Sequence, residues 1–286
     1  MADSRDPLSR PAGAATDPGP LPKIDPEREE AELRRYLGGA YDHSRLIDWE
    51  GQLEREAERL GDEQLLYHES EAYLYNLTAF AMTRTKEPYL RDLAALVPAP
   101  ARVLDYGCGI GSDGLALAGA GYAVEFADFA NPSVRYLRWR LERRGVSARI
   151  HDLDREAPPA GFDAAFAFDV IEHVDDPFAL LARLESLAAL VVVNFLDPEP
   201  GETRLHHALP VADLLAHARD RGLRRYRRYH GRSHLVAYSA APRSGARMRS
   251  VAWRHLGGRR ARLTTAVERF EGIGARARAL AGRGSR

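Results

Sequence analysis

The 286-residue chain has one cysteine, Cys108, which leaves no partner for an internal disulfide and no cysteine cluster for a metal. It has no run of about 18 apolar residues, so no transmembrane helix is expected. The stretch from Met1 to Lys23 is rich in proline, glycine and aspartate instead of apolar residues, which is not how a secretory signal reads. These absences fit a cytoplasmic protein. Lysine is nearly missing too, with only Lys23 and Lys86 against many arginines. Arginine richness of this kind follows codon bias as readily as phosphate binding, which weakens a nucleic-acid reading. Net charge is also lacking, since 41 basic residues balance 41 acidic ones. The balance is uneven along the chain, because residues 241–286 hold twelve arginines against Glu268 and Glu271.

What is present is 45% hydrophobic content in a chain long enough for one sizeable core and some additional length. Residues 1–24 carry too few apolar groups to offset the entropy of ordering them, and are expected to form a disordered leader. Asp25 followed by Pro26 is a helix start and Gly38-Gly39 a stop. Short helices then continue to about Leu96, so residues 25–100 read as a helical cap. From Arg102 the texture changes to short apolar runs, "RVLDY", "YAVEFA", "ARIHDL", "FDAAFAF", "LVVVNF", "LRRYRRYH" and "HLVAYS", alternating with amphipathic stretches. Alternation of this kind implies a mostly parallel sheet with helical crossovers over residues 101–240. Asn131 and Pro132 open a helix with Val134, Leu137 and Leu141 on one face. The last two strands are separated only by "GRS" and predict an antiparallel hairpin at the sheet edge. Residues 241–286 form a basic extension in which Leu263, Val267 and Phe270 share a helical face.

In an open α/β sheet, ligands sit beyond the carboxyl ends of the strands. After the first strand come Gly107, Gly109 and Gly111, with Asp105 two residues ahead of them. Glycines here admit a nucleotide to the backbone, but a carboxylate would repel a pyrophosphate by roughly 4 kcal/mol at 4 Å with an effective dielectric near 20. A phosphate-free nucleoside that carries an ammonium group satisfies both features, and S-adenosylmethionine is such a ligand. Asp128 closes the second strand, where an acid accepts hydrogen bonds from ribose hydroxyls. Asp152 follows the third strand, where it can meet an adenine amine, with Leu153 beside it. "FDVIEHVDDP" leaves the fourth strand where cofactor and substrate would meet.

On these residues the chain resembles the class I S-adenosylmethionine-dependent methyltransferases, in particular the small-molecule branch that includes the ubiquinone-biosynthesis enzymes. "VLDYGCGIG", "EFADFA", "IHDLD" and "DVIEHV" are similar to four motifs of that family in order, and the resemblance covers about residues 102–239. It implies a Rossmann-like, three-layer α/β/α fold with seven mostly parallel strands and an antiparallel last strand, here with the N-terminal helical cap. It implies that Asp105, Tyr106, Gly107, Gly109 and Gly111 surround the methionine moiety. By the same resemblance Asp128 and Phe129 meet the ribose, Asp152 and Leu153 the adenine, and Asp169, Val170 and the residues up to His173 the cofactor edge. The usual Pro-Gly-Gly turn before the fifth strand is missing, because "LESLAALVVVNF" runs on directly. The expected reaction is methyl transfer to an oxygen, nitrogen or carbon nucleophile of a small molecule, leaving S-adenosylhomocysteine.

Blander readings compete at several positions. The glycines alone make a tight turn, Asp154 competes with Asp152, and Cys108 is a small buried residue and no nucleophile. His173, then His206 or His207, are the candidates for a proton acceptor. Two adjacent histidines point in different directions, so no metal site is expected from them. Tyr67, Tyr73 and Tyr75 either close over the cofactor or belong to the core. The basic extension is read as solvated or docked, since no aromatic-and-basic constellation for base stacking accompanies it. A methyltransferase acting on RNA or protein, and a non-catalytic cofactor-binding subunit, are the alternatives. The acceptor and the oligomeric state are not legible.

Overall fold

The computed structural model describes residues 20–197 and 206–241. Residues 1–19 of the expected leader, most of the basic extension and its helical face at Leu263, Val267 and Phe270 lie outside the described residues. The end of the expected leader is not disordered: Ile24 is buried in the core and its amide donates to Glu87 at 3.1 Å, an anchor the polar composition of the preceding stretch does not signal.

The cap begins with α1 (Pro26–Leu37). The Asp25 side chain accepts the amides of Glu27 and Arg28, Pro26 occupies the first turn and Gly38 ends the helix with φ 55°. Then follow α2 (His43–Ile47), α3 (Trp49–Leu60), α4 (Glu63–Glu69), α5 (Ala72–Met82) and α6 (Glu87–Leu96). Apolar residues of α1, α2 and α5, among them Leu33, Leu46, Leu74 and Tyr75, pack on Ile110 and Tyr136 of the following domain. Each fully buried leucine contributes roughly 1.5–3 kcal/mol against leaving it in water.

The domain alternates β1 (Arg102–Tyr106), α7 (Ser112–Gly119), β2 (Ala123–Asp128), α8 (Pro132–Arg144), β3 (Ile150–Asp152), β4 (Phe162–Ala167), α9 (Pro177–Leu187), β5 (Ala188–Leu196), α10 (Val211–Arg221), β6 (Leu223–Tyr229) and β7 (Ser233–Ser239). The seven strands form one sheet in the order β3-β2-β1-β4-β5-β7-β6. β1 to β5 pair in parallel, and β7 is antiparallel to both its neighbours. This is the expected Rossmann-like sheet with an antiparallel last strand. Successive side chains of a strand face opposite layers. Val103, Phe126 and Phe166 meet Leu90 of α6, Leu115 of α7 and Leu137 of α8, whereas Leu104, Ala165 and Val193 meet Leu184 of α9 and Leu214 of α10. The missing Pro-Gly-Gly turn has a simple result: α9 ends at Leu187 and β5 begins at Ala188.

The expected hairpin forms, with a refinement in its order. Its second strand is interior and its first is the edge, because six of the seven residues of β7 are buried, while Arg224, Arg227 and Arg228 of β6 stay exposed. The more apolar strand takes the place with two neighbours.

A buried ionic cluster fastens the cap to the domain. Arg140 of α8, fully buried, donates to Glu32 at 2.9 Å, to the Ile110 carbonyl at 2.8 Å and to Ser112 Oγ at 2.9 Å, and pairs with Glu29. Arg144 also pairs with Glu29 and Glu32, and Ser112 donates to Glu29 at 2.6 Å. Burial alone would raise the Glu32 pKa, but the hydrogen bonds and charges of Arg144 and Arg140 outweigh it and hold it at about 2. Two cations and two carboxylates thereby satisfy one another out of water.

Candidate cofactor and acceptor site

The strand order reverses between β1 and β4, the switch point at which ligands of open α/β sheets are generally held. Asp105 sits near the end of β1, buried, and its Oδ2 accepts the Gly114 amide of α7 at 3.0 Å. Burial and the neighbouring Asp113 push its pKa well up, with Lys86 opposing. Gly107 has φ 71°, and a Cβ there would stand 2.7 Å from Cγ2 of Val170; Gly109 has φ 51°, and its Cβ would meet Cδ1 of Leu77 at the same distance. Both positions therefore need glycine for conformation and for space. The turn is pinned to the next strand, since the amides of Gly107 and Cys108 donate to the Ala127 carbonyl at 2.8 and 3.3 Å.

Asp128 ends β2 with each carboxylate oxygen taken by an amide: Gly109 on Oδ2 and Phe129 on Oδ1, both at 2.7 Å. Burial raises its pKa to about 6 in spite of these two bonds. The two glycine-loop acids thus face opposite sides of one turn, Asp105 toward α7 and Asp128 toward Gly109. Asp152 is the register partner of Asp128, and the Leu153 amide donates to the Asp128 carbonyl at 3.0 Å. Of the competing acids, the Asp152 side chain is 18% exposed and that of Asp154 42%, so Asp152 is the one turned inward. Tyr106 and Val170 are half-buried beside the loop.

Beyond β4 the backbone takes a left-handed turn at Asp169, φ 54°. Asn194 of β5 grips this residue from both sides, its Oδ1 accepting the Asp169 amide at 2.8 Å and its Nδ2 donating to Oδ1 at 2.6 Å. The sequence reading missed the residue at the centre of this region. Lys86, at the start of α6, donates to the Phe168 carbonyl at 3.2 Å and lies 3.3 Å from Asp113 and 3.5 Å from Asp169. Burial opposes its charge, but Asp113 and Asp169 outweigh that and raise its pKa. One signal pointed to it: in a chain that otherwise uses arginine, this is one of two lysines.

Past Asp169, His173 ends a short turn, Ile171–His173. Its Nδ1 is 2.9 Å from the Tyr67 hydroxyl of α4, and the His206 ring stands edge-on at 4.8 Å. His207 turns away, with its Nε2 4.0 Å from Asp175 and its side chain 41% exposed. The adjacent histidines diverge. Glu172, His173 and His206 bring one donor atom each within 4.8 Å of one another, a compact set of the kind a divalent ion uses, and His207 is outside it. The three tyrosines separate as well. Tyr75 is core, its hydroxyl accepting the Asp42 amide at 2.9 Å, while Tyr67 and Tyr73 meet each other at 5.4 Å beside His173. Burial first, then Asp128 and Asp105, push the Cys108 thiol well above its usual range, which keeps it neutral and unreactive.

The residues around the glycine loop can be tested against S-adenosylmethionine. Asp105, Asp113 and Asp169 surround a single ammonium, a setting that favours a ligand with positive groups and rejects a diphosphate. The turn carries no side chains of its own at Gly107, Gly109 and Gly111, and Val170 and Leu77 border the first two. The donor set fits.

A family model described as a methyltransferase domain matches residues 80–235, more than half of the chain. The chain belongs to this family. Together with the sheet order, the match assigns it to the class I S-adenosylmethionine-dependent methyltransferases. The chain is 32% identical over 152 residues to a ubiquinone biosynthesis O-methyltransferase of Xanthomonas axonopodis pv. citri, covering 51% of this chain and 63% of that protein. It is 32% identical over 117 residues to the protein of the same name in Cereibacter sphaeroides, covering 38% and 47%. The chain thus spans less than two thirds of the length of the curated relatives it matches. Among solved structures, it is similar to magnesium protoporphyrin IX methyltransferase of Synechocystis PCC 6803, with 18% identity over 80% of this chain and 99% of that one, and a TM-score of 0.46. No helix among the described residues of this methyltransferase is long and apolar enough to cross a membrane.

Proposed function

We propose that this methyltransferase moves the methyl group of S-adenosylmethionine to a nucleophile of a small molecule and releases S-adenosylhomocysteine. The relatives named for O-methylation in ubiquinone biosynthesis favour an oxygen on a quinone-like acceptor. One observation carries the reading: two buried acids, Asp105 and Asp128, are locked by amides onto opposite sides of one glycine turn. In this reading Gly107, Gly109 and Gly111 admit the amino-acid end, and Asp105 and Lys86 match its two charges. Asp128 receives the ribose hydroxyls beside Phe129, Asp152 and Leu153 border the adenine, and Asp169 and Val170 close the edge. When bound, the cofactor supplies a methyl group on a positively charged sulfur. The protein's share is alignment, worth at best roughly 7 to 11 kcal/mol, and exclusion of water under the cap.

An oxygen nucleophile must also lose a proton. His173, held between Tyr67 and His206 at the acceptor side, is the group for that step, with His206 next to it. His207 faces Asp175 and is set aside. The cytoplasm, where a lone thiol stays reduced, is the location this reading expects. Calorimetry tests it: S-adenosylmethionine and S-adenosylhomocysteine both give binding heat, and Asp128→Ala removes most of it. Absence of heat with both ligands for the intact chain overturns the reading. Methyl-labelled cofactor, incubated with fractionated extract, then identifies the acceptor by where the label lands.

A further inference from the structure

Asp169 is held in a conformation that few side chains adopt. Its φ of 54° lies in the left-handed region, which a residue other than glycine keeps only where its surroundings fix it. Asn194 of β5, fully buried, does the fixing. An amide side chain presents an acceptor and a donor side by side, so Asn194 takes the Asp169 amide on Oδ1 at 2.8 Å while its Nδ2 donates to Asp169 Oδ1 at 2.6 Å. Nδ2 also donates to Ser233 Oγ of β7 at 3.3 Å, and the Tyr89 hydroxyl of α6 donates to the same oxygen at 2.8 Å. Ser233 and Tyr89 are buried as well. Lys86 stands at the start of that helix, so α6 meets Asp169 twice, once through this chain of hydrogen bonds and once through the Lys86 ammonium.

The arrangement occupies one carboxylate oxygen and leaves the other. Asp169 Oδ2 is buried and makes no hydrogen bond among the described residues. Lys86 Nζ lies 3.5 Å from it, longer than an N–H···O hydrogen bond, and donates instead to the Phe168 carbonyl at 3.2 Å. A buried acceptor without a donor is costly, and a ligand that brings a donor removes the cost. An α-amino acid carries its ammonium and its carboxylate on one carbon, and Asp169 Oδ2 beside Lys86 Nζ offers the two opposite charges at the same close spacing. We propose that Asp169 Oδ2 receives the ammonium of the cofactor's amino-acid end together with Asp105, while Lys86 faces its carboxylate, and that Asn194 is the positioning residue that aims Asp169. The proposal rests on the reading of this site as one for S-adenosylmethionine. A ligand with the nucleoside and the sulfur but no amino-acid end does not engage the pair.

Calorimetry on the full chain compares S-adenosylhomocysteine with 5′-methylthioadenosine, which keeps the nucleoside and the thioether sulfur and lacks both the ammonium and the carboxylate. Asp169→Asn and Asn194→Ala are each expected to weaken S-adenosylhomocysteine about tenfold and to leave 5′-methylthioadenosine within about twofold, as the loss of one charge-assisted hydrogen bond implies. Equal losses for the two ligands mean that these residues only shape the site, and overturn the proposal. Unchanged affinity for S-adenosylhomocysteine overturns it too. Where Asn194→Ala does not fold, Ser233→Ala removes only the support behind Asn194 and carries the same comparison with a smaller loss. The exchange of Asn194→Asp with Asp169→Asn restores the pairing of amide and carboxylate but moves the charge onto β5. Circular dichroism should report a folded domain with weak S-adenosylhomocysteine binding, and recovery of full affinity in the exchanged chain overturns the role given to Asp169. An intact chain that binds neither ligand fails the methyltransferase reading and the proposal with it, whereas an intact chain that binds both, with variants that lose neither selectively, fails the proposal alone.

Discussion

On one side of the crevice, Asp105 and Asp128 are held by main-chain amides of Gly114, Gly109 and Phe129. On the other, His173 is held by side chains, the Tyr67 hydroxyl from the cap and the His206 ring from a loop after β5. Amides arrive wherever the strand and turn form, so the first side follows from the sheet itself. Phenols and imidazoles have to be brought from distant parts of the chain, and here the sequence separation between Tyr67 and His173 is 106 residues. The two acids Asp105 and Asp128 are thus tied to the sheet and its turns, whereas the placing of His173 depends on the docking of the cap. A family can keep the first and vary the second.

Substitutions that separate the two sides test this contrast. The largest effect is expected for Gly107→Val, which puts a β-branched residue at φ 71° and a Cβ against Val170. Calorimetric heat with S-adenosylmethionine should vanish while circular dichroism still reports the folded domain. Arg140→Met attacks the other side by removing the buried partner of Glu29 and Glu32 and leaving Arg144, with Arg28 on Glu32, to hold them. Urea unfolding should register a loss at or below the lower end of the roughly 3–5 kcal/mol that an uncompensated buried charge costs.

Asp128→Asn is smaller, with affinity reduced by roughly 1.5–3 kcal/mol, as for one hydrogen bond to a charged group. Its pH dependence is the sharper readout. The Asp128 pKa is raised to about 6 from 3.8, so this group favours the fold most below about pH 4, and that contribution is lost as pH rises through 6. Ribose hydroxyls need the ionised form, so cofactor affinity should fall as pH drops through about 6. Titrations at several pH values should show this slope in the parent and lose it in the variant. The smallest effect belongs to His207→Ala, which should leave turnover unchanged because the ring faces Asp175 and solvent.

Much of the fold was legible because its signals are local. Asp25 with Pro26, Asn131 with Pro132, and the apolar runs of the strands each act within a few residues, and the four strand-end motifs fall in order along the chain. The order within the last hairpin was not local. It depends on which strand buries more apolar surface, a comparison between "LRRYRRY" and "SHLVAYS" that alternation alone does not rank. Lys86 escaped for a related reason. It lies in the helical cap, 27 residues before Asp113 and 83 before Asp169, and only packing brings the three together. Glu172 was passed over inside "DVIEHV", and its grouping with His173 and His206 depends on how a loop folds back after β5. The divergence of His206 and His207 was readable, since neighbours along a chain rarely share a target.

The arginines of β6 bear on how this molecule behaves in company. An outermost strand offers a row of unused amides and carbonyls to any passing extended segment, and the long exposed side chains of Arg224, Arg227 and Arg228 along it stand in the way of a second strand. The opposite flank ends in β3, only three residues long, which is too short to seed such a ladder. Both flanks of the folded sheet thus disfavour the edge-to-edge addition of a second copy.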